Sequence, residues 1–212
     1  GEIKCIDVHG DETQLPAGSS TGAVCVFDLR TKKILNFFGS EYNATAVNDL
    51  KFSADSKTLV IGKGELFKTK APLVWDLTSN KQLYVDETLR GKVTRVEILP
   101  DGRIAAYCLD VLTVFEKNLS TKASELKLDE KLSEYMQYIP GMKGFLVGFN
   151  NVNFVSYNDG QVKREWKIAI TDKKSYRPFG SLYADQKNGR LYVAAPSAEN
   201  LLCFDLKTRK RL

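Results

Sequence analysis

Short apolar runs and polar interruptions alternate along the whole chain. The clearest unit is Leu73-Val74-Trp75-Asp76-Leu77, an apolar strand ending in an aromatic, a carboxylate and a further apolar residue. The turn-forming Thr78-Ser79-Asn80-Lys81 follows, then a new strand, Gln82-Leu83-Tyr84-Val85. The unit recurs. Its aromatic returns as Phe27, Trp75, Phe115, Tyr157 and Phe204, at spacings of 48, 40, 42 and 47 residues. The next position holds Asp28, Asp76, Glu116, Asn158 and Asp205, four carboxylates and one amide. Such a side chain accepts backbone N–H bonds from the turn behind it.

A second strand precedes each aromatic and often closes on small residues. The runs are Leu15-Pro16-Ala17-Gly18-Ser19, Leu59-Val60-Ile61-Gly62, Arg103-Ile104-Ala105-Ala106, Phe145-Leu146-Val147-Gly148 and Leu191-Tyr192-Val193-Ala194-Ala195. A first strand lies further upstream, as in Val47-Asn48-Asp49-Leu50-Lys51-Phe52 and Val93-Thr94-Arg95-Val96-Glu97-Ile98. Four short strands per repeat match the roughly 40–45 residues of a propeller blade. One four-stranded sheet cannot bury both faces, whereas stacked sheets cover one another and leave only short edges. Small residues suit the crowded places where sheets approach. The expected fold is all-β, a β-propeller of four-stranded antiparallel blades with about five visible. They fall at about 3–38, 46–86, 92–128, 133–168 and 179–212, in one domain over 1–212. Within Ser120–Tyr138 the residues Leu126, Leu132, Tyr135, Met136 and Ile139 also fit a helical stripe. The repeat favours strand, turn, strand there, because Met136-Gln137-Tyr138-Ile139-Pro140 aligns with the run ending in Leu99-Pro100.

The pattern resembles the WD-repeat β-propeller family. Trp75-Asp76 is that family's signature dipeptide, and Phe27-Asp28 and Phe204-Asp205 are near versions. Asp49 to Leu59 and Leu99-Pro100-Asp101-Gly102-Arg103 look like its first hairpin. The family's Gly-His pair is absent; the one histidine, His9, precedes Gly10 in reverse order. The buried His–Asp network of the family is therefore not encoded. The resemblance implies a propeller of typically seven blades. The last unit stops at Arg211-Leu212, barely into its fourth strand, so the chain is expected to be part of a longer propeller, incomplete at its C-terminal end.

Net charge is +5, from 31 basic and 26 acidic residues, which is mild for a nucleic-acid binder. No run reaches the length of a membrane span. Cys5, Cys25, Cys108 and Cys203 match no metal-site spacing and read as buried free thiols. That suggests a reducing compartment, cytoplasmic or nuclear. The sequons at Asn43 and Asn118 matter only in a secreted protein.

No catalytic, metal or cofactor site is expected. Histidine chemistry would rest on His9, which sits in a predicted turn. The repeated carboxylates are equivalent turn positions in different blades. Gly62-Lys63-Gly64 lacks the setting of a phosphate loop. The Phe27–Lys33 and Phe204–Lys210 runs also resemble quinoprotein-type repeats, but that family's turn glycine and regular closing tryptophan are missing. The expected role is a non-enzymatic scaffold for proteins or peptides in a complex, with no small-molecule substrate. A nucleic-acid-associated propeller in RNA processing or chromatin is the alternative, and a quinoprotein-like propeller the third reading. The resemblance places partner contacts on rim loops, which hold Tyr42, Phe67, Lys68, Lys70, Arg90, Lys173, Lys174, Tyr176 and Arg177. The Lys63–Pro72 insertion and the Lys173–Arg177 connector break the repeat length, and loops longer than the architecture needs are often functional.

Overall fold

Period-two alternation builds five antiparallel sheets, each a meander in chain order. The computed structural model describes residues 1–8, 12–39, 45–64, 72–89, 91–119, 121–128, 135–148, 150–170, 181–194 and 201–212. The first sheet holds β1 (Ile3–Ile6), β2 (Gln14–Ser19), β3 (Val24–Asp28) and β4 (Ile34–Phe38). The second holds β5 (Val47–Phe52), β6 (Thr58–Lys63), β7 (Leu73–Asp76) and β8 (Lys81–Val85). The third holds β9 (Val93–Ile98), β10 (Ile104–Cys108), β11 (Val111–Phe115) and β12 (Lys122–Lys127). The fourth holds β13 (Tyr135–Ile139), β14 (Gly144–Gly148), β15 (Asn151–Asn158) and β16 (Gln161–Ala169). The fifth has three strands, β17 (Ser181–Asp185), β18 (Arg190–Ala194) and β19 (Leu201–Asp205). A single bridge from Phe204 to Arg211 starts a fourth pairing there.

Strands occupy Lys122–Lys127 and Tyr135–Ile139, where a helical stripe also fitted, while Leu132 of that stripe lies outside the described residues. Leu126 pairs with Leu112, and Tyr135 pairs with Gly148. Among the described residues the one helix is a 3-10 turn, Pro140–Met142. No helix is long and apolar enough to cross a membrane among those residues.

Apolar layers join each sheet to the next. β6 divides its side chains: Leu59 and Ile61 face the first sheet, while Val60 faces the third. In β10, Ile104, Ala106 and Cys108 pack toward the second sheet, and Ala105 and Tyr107 toward the fourth. All five residues of β10 are buried, as expected of a strand covered on both faces. Leu146 and Phe154 of the fourth sheet meet Leu191 and Val193 of the fifth. The fourth strands are wetter: Lys81 to Tyr84 in β8 are all exposed. The outward face of the first sheet is also open, with Ile3 63% and Phe37 55% exposed.

The small residues sit where sheets crowd. A Cβ on Gly18 would lie 2.4 Å from Val47 Cγ1 and 2.7 Å from Cys5 Sγ. The repeated carboxylates close their turns. Asp28 Oδ1 accepts from the N–H groups of Arg30 (2.8 Å) and Thr31 (2.7 Å). Asp76 Oδ1 accepts from Thr78 N (2.8 Å) and Asp205 Oδ1 from Thr208 N (2.6 Å). Glu116 departs from this role. Its longer side chain reaches Arg103, whose Nε lies 3.1 Å from Oε1. Asn158 opens a tight turn through Asp159 (φ 44°) and Gly160 (φ 80°).

Candidate functional site

Strand order and register bring the first strands of four sheets together. β1, β5, β9 and β13 line an open cleft of about 410 Å³. Its walls carry Lys4 and Cys5 from β1, Asp49 and Lys51 from β5, Arg95 and Glu97 from β9, and Tyr135 and Gln137 from β13. The register explains the grouping. Ile6 pairs with Ala17, Leu50 with Ile61 and Val96 with Ala106, so Asp7, Lys51 and Glu97 take equivalent places in successive sheets. Two residues earlier stand Cys5, Asp49 and Arg95.

Each junction between these strands is held by a carboxylate. Asp7 Oδ2 accepts from Phe52 N (3.1 Å), while its Oδ1 pairs with Lys51 Nζ (3.1 Å). Asp49 Oδ2 accepts from Val96 N (3.0 Å). Glu97 accepts from the backbone N–H of Tyr138. Asn48 adds a neutral tie, donating to Val93 O at 3.0 Å and Gly64 O at 3.1 Å. Backbone N–H groups that would lack a strand partner across a sheet boundary are satisfied in this way.

Electrostatics follow from burial. Glu97 is pushed up to about 7, first by loss of water and then by the Asp49 and Asp7 charges, against the pull of Lys51. Asp49 is also pushed up by burial, opposed by the Val96 N–H and by Arg95 and Lys51. Lys51 rises above its ordinary value; its own burial opposes the shift, but Asp7, Glu97 and Asp49 outweigh it. Burial and Asp49 push the Cys5 thiol up to about 12, and burial with Glu97 pushes Tyr135 up to about 12. A thiol that stays protonated across the physiological range is a weak nucleophile. Among the described residues no group of three or more His, Cys, Asp or Glu side chains is arranged to hold a metal ion. None of the four cysteines is in a disulfide; Cys108 is buried as expected, whereas Cys5, Cys25 and Cys203 are only half-buried.

A second charged cluster joins the third and fourth sheets. Arg103 Nη1 lies 3.0 Å from Asp101 and 3.3 Å from Asp159, and its Nε bonds Glu116. The Tyr157 hydroxyl donates to Asp101. These charges are consumed by one another, so the cluster acts as a latch.

The rim residues Tyr42, Phe67, Lys68, Lys70, Arg90, Lys173, Lys174, Tyr176 and Arg177 lie outside the described residues, as does His9. The cleft residues were missed as a site. A signal for them exists in the sequence: Asp7, Lys51 and Glu97 recur at 44- and 46-residue steps with alternating sign, close to the repeat length.

Comparison with protein-family models and with curated proteins finds no match for this chain.

Proposed function

We propose that the chain is a WD-repeat-like propeller scaffold, its sheets serving as blades with the first strands innermost, that binds proteins or peptides without catalysis. The observation that carries this reading is the first-strand cleft. Its carboxylates are fixed by backbone N–H groups of the adjoining sheet, at 3.0 to 3.1 Å for Asp49 and Asp7, so the charged wall is set before any partner arrives. Preorganisation of this kind lowers the entropy lost on binding. The pairing of groups also favours recognition: the cleft's thiol is held protonated, and its lysines are engaged in ion pairs. The rim loops supply the second proposed contact surface, with Phe67 and Tyr176 as anchors, since aromatic residues concentrate at hot spots. Four cysteines outside any disulfide support a cytoplasmic or nuclear setting.

Affinity capture from the source cell, with and without nuclease, tests the reading. Protein partners that survive nuclease at stoichiometric yield are expected, and Phe67→Ala with Tyr176→Ala lowers that yield at unchanged thermal stability. Loss of every partner on nuclease treatment ends the scaffold reading and moves the function to nucleic acid.

A further inference from the structure

Arg103 and Arg95 both sit among carboxylates, and their surroundings differ. Arg103 is met by Asp101, Glu116, Asp159 and Tyr157. Arg95, half-buried in the wall of the cleft, donates from Nη1 to Thr94 O at 2.8 Å. No carboxylate lies within ion-pair distance of it among the described residues. The two acids beside it are each tied to a backbone N–H, Asp49 to Val96 N and Glu97 to Tyr138 N, and Arg95 acts on Asp49 through its charge without an ion-pair contact. The neighbouring lysines are committed as well, Lys4 to Glu2 at 2.8 Å and Lys51 to Asp7 at 3.1 Å. A guanidinium has five N–H donors in a planar fork that matches a carboxylate through two parallel bonds. Among the described residues, the rest of the Arg95 fork meets no carboxylate, in a polar cleft of about 410 Å³. Cleft walls made mostly of charged and amide side chains, with Cys5, Met136 and two tyrosines between them, are unlike the mostly apolar lining of small-molecule pockets. They suit a ligand read by charge and backbone polarity.

We propose that the first-strand cleft binds an extended acidic peptide segment, with Arg95 taking a glutamate or aspartate side-chain carboxylate in bidentate fashion. This rests on the scaffold reading and names the chemistry of one of its partners. The other groups facing the site set its pH dependence. They are Lys4 and Cys5 on β1 with Asp7 just beyond, Asp49 and Lys51 on β5, Glu97 on β9 and Tyr135 on β13. Cys5 and Tyr135 stay protonated to about pH 12 and do not titrate in the working range. Glu97 titrates at about 7. Below that pH it is neutral; above it, its charge repels the incoming carboxylate. Asp49 is shifted in the same direction and acts with the same sign. Affinity for the acidic segment falls as pH rises through about 7.

The test uses the 212-residue chain and a blocked glycine–glutamate heptapeptide, with the glycine–glutamine peptide as its neutral twin. Titration is followed by the Arg95 Nε–H resonance and by calorimetry. The glutamate peptide is expected to shift that resonance saturably, to bind about tenfold tighter at pH 6 than at pH 8, and to outcompete the glutamine peptide. Arg95→Gln lowers affinity about tenfold or more. Glu97→Gln, which keeps an acceptor for Tyr138 N, removes most of the pH dependence. Acetate at matched carboxylate concentration binds far more weakly if the peptide backbone contributes. Equal binding of the two peptides, or an Arg95 resonance that does not move, overturns the proposal. If partners still survive nuclease in the capture experiment, that failure removes the acidic ligand alone and leaves the scaffold reading standing.

Discussion

Asp76 and Asp49 stand in the same sheet, on β7 and β5, and titrate in opposite directions. Asp76 faces solvent at a turn. The Ser79 hydroxyl and the Thr78 N–H hold it below the ordinary carboxylate range. Asp28 and Asp205 are lowered in the same way, chiefly by the backbone N–H groups of Thr31 and Thr208. Asp49 also accepts a backbone N–H bond, yet burial outweighs that bond and raises it. Glu97 repeats this on the third sheet. The donor alone does not set the shift. Water at the turn already solvates the charge, so extra bonds favour ionisation; in the cleft the lost water is only partly replaced.

Stability should follow pH with two signs. A raised carboxylate contributes stability that is full below its ordinary value and lost as pH rises through its folded value. For Glu97 that window runs from 4.5 to about 7. The sharpest break of the comparison is therefore Glu97→Gln, which keeps an acceptor and removes the titration. Relative to wild type, the variant should gain about 2–3 kcal/mol between pH 4.5 and pH 8, by urea unfolding at both ends. A constant difference across that range would show that Glu97 ionises without penalty.

Asp49→Ala should come next. It strands the N–H of Val96, a fully buried residue, at the junction of the second and third sheets. The expected loss is about 2 kcal/mol at pH 7. Asp49→Asn retains the acceptor and should cost less than about 1 kcal/mol. Equal losses for the two would assign the effect to charge rather than to the hydrogen bond. Asp76→Ala should cost less than Asp49→Ala, because solvent replaces the lost acceptor at an exposed turn. Its pH signature is reversed: a lowered carboxylate contributes stability above its ordinary value of 3.8, lost as pH falls through the folded value. Thermal melts of the variant and wild type should converge in acid and separate at neutral pH.

The turn carboxylates were legible in the sequence because their donors are local. Asp28 reaches two and three residues ahead, so a repeating aromatic–acid pair carries the whole mechanism. The cleft carboxylates were not, because Asp7 and Asp49 bond residues 45 and 47 positions away. Alternation in Val47–Phe52 identified a first strand without saying which side chains would meet across sheets. Repeat spacing also settled the strands around Leu126 and Tyr135, where periodicity alone fitted a helix equally well. Glu116 marks the limit of that reasoning. It occupies the turn position, but β10–β11 pairing of Ile104 with Phe115 sets Arg103 beside it, and the ion pair takes the carboxylate.

The smallest effect lies in the turns themselves. Lys32, Asn80 and Arg209 each stand four residues after the repeated acid, at φ 58°, 53° and 64°. A left-handed residue with a Cβ is strained by about 1–2 kcal/mol, and glycine removes that strain while adding about 0.5–1 kcal/mol of unfolded-chain entropy. Lys32→Gly should therefore stabilise by a few tenths of a kcal/mol, to about 1 at most. Asn80→Gly should go the other way. Asparagine already tolerates this conformation, and Asn80 Oδ1 accepts from Trp75 Nε1 at 3.2 Å. Trp75 in turn stacks on Phe38 of the first sheet, with ring centroids 4.1 Å apart. Losing the asparagine frees the indole N–H and loosens a contact between sheets. Chemical denaturation of the two variants side by side decides the matter: the same substitution at equivalent turn positions should change sign, and matching signs would mean that the Asn80–Trp75 bond contributes nothing.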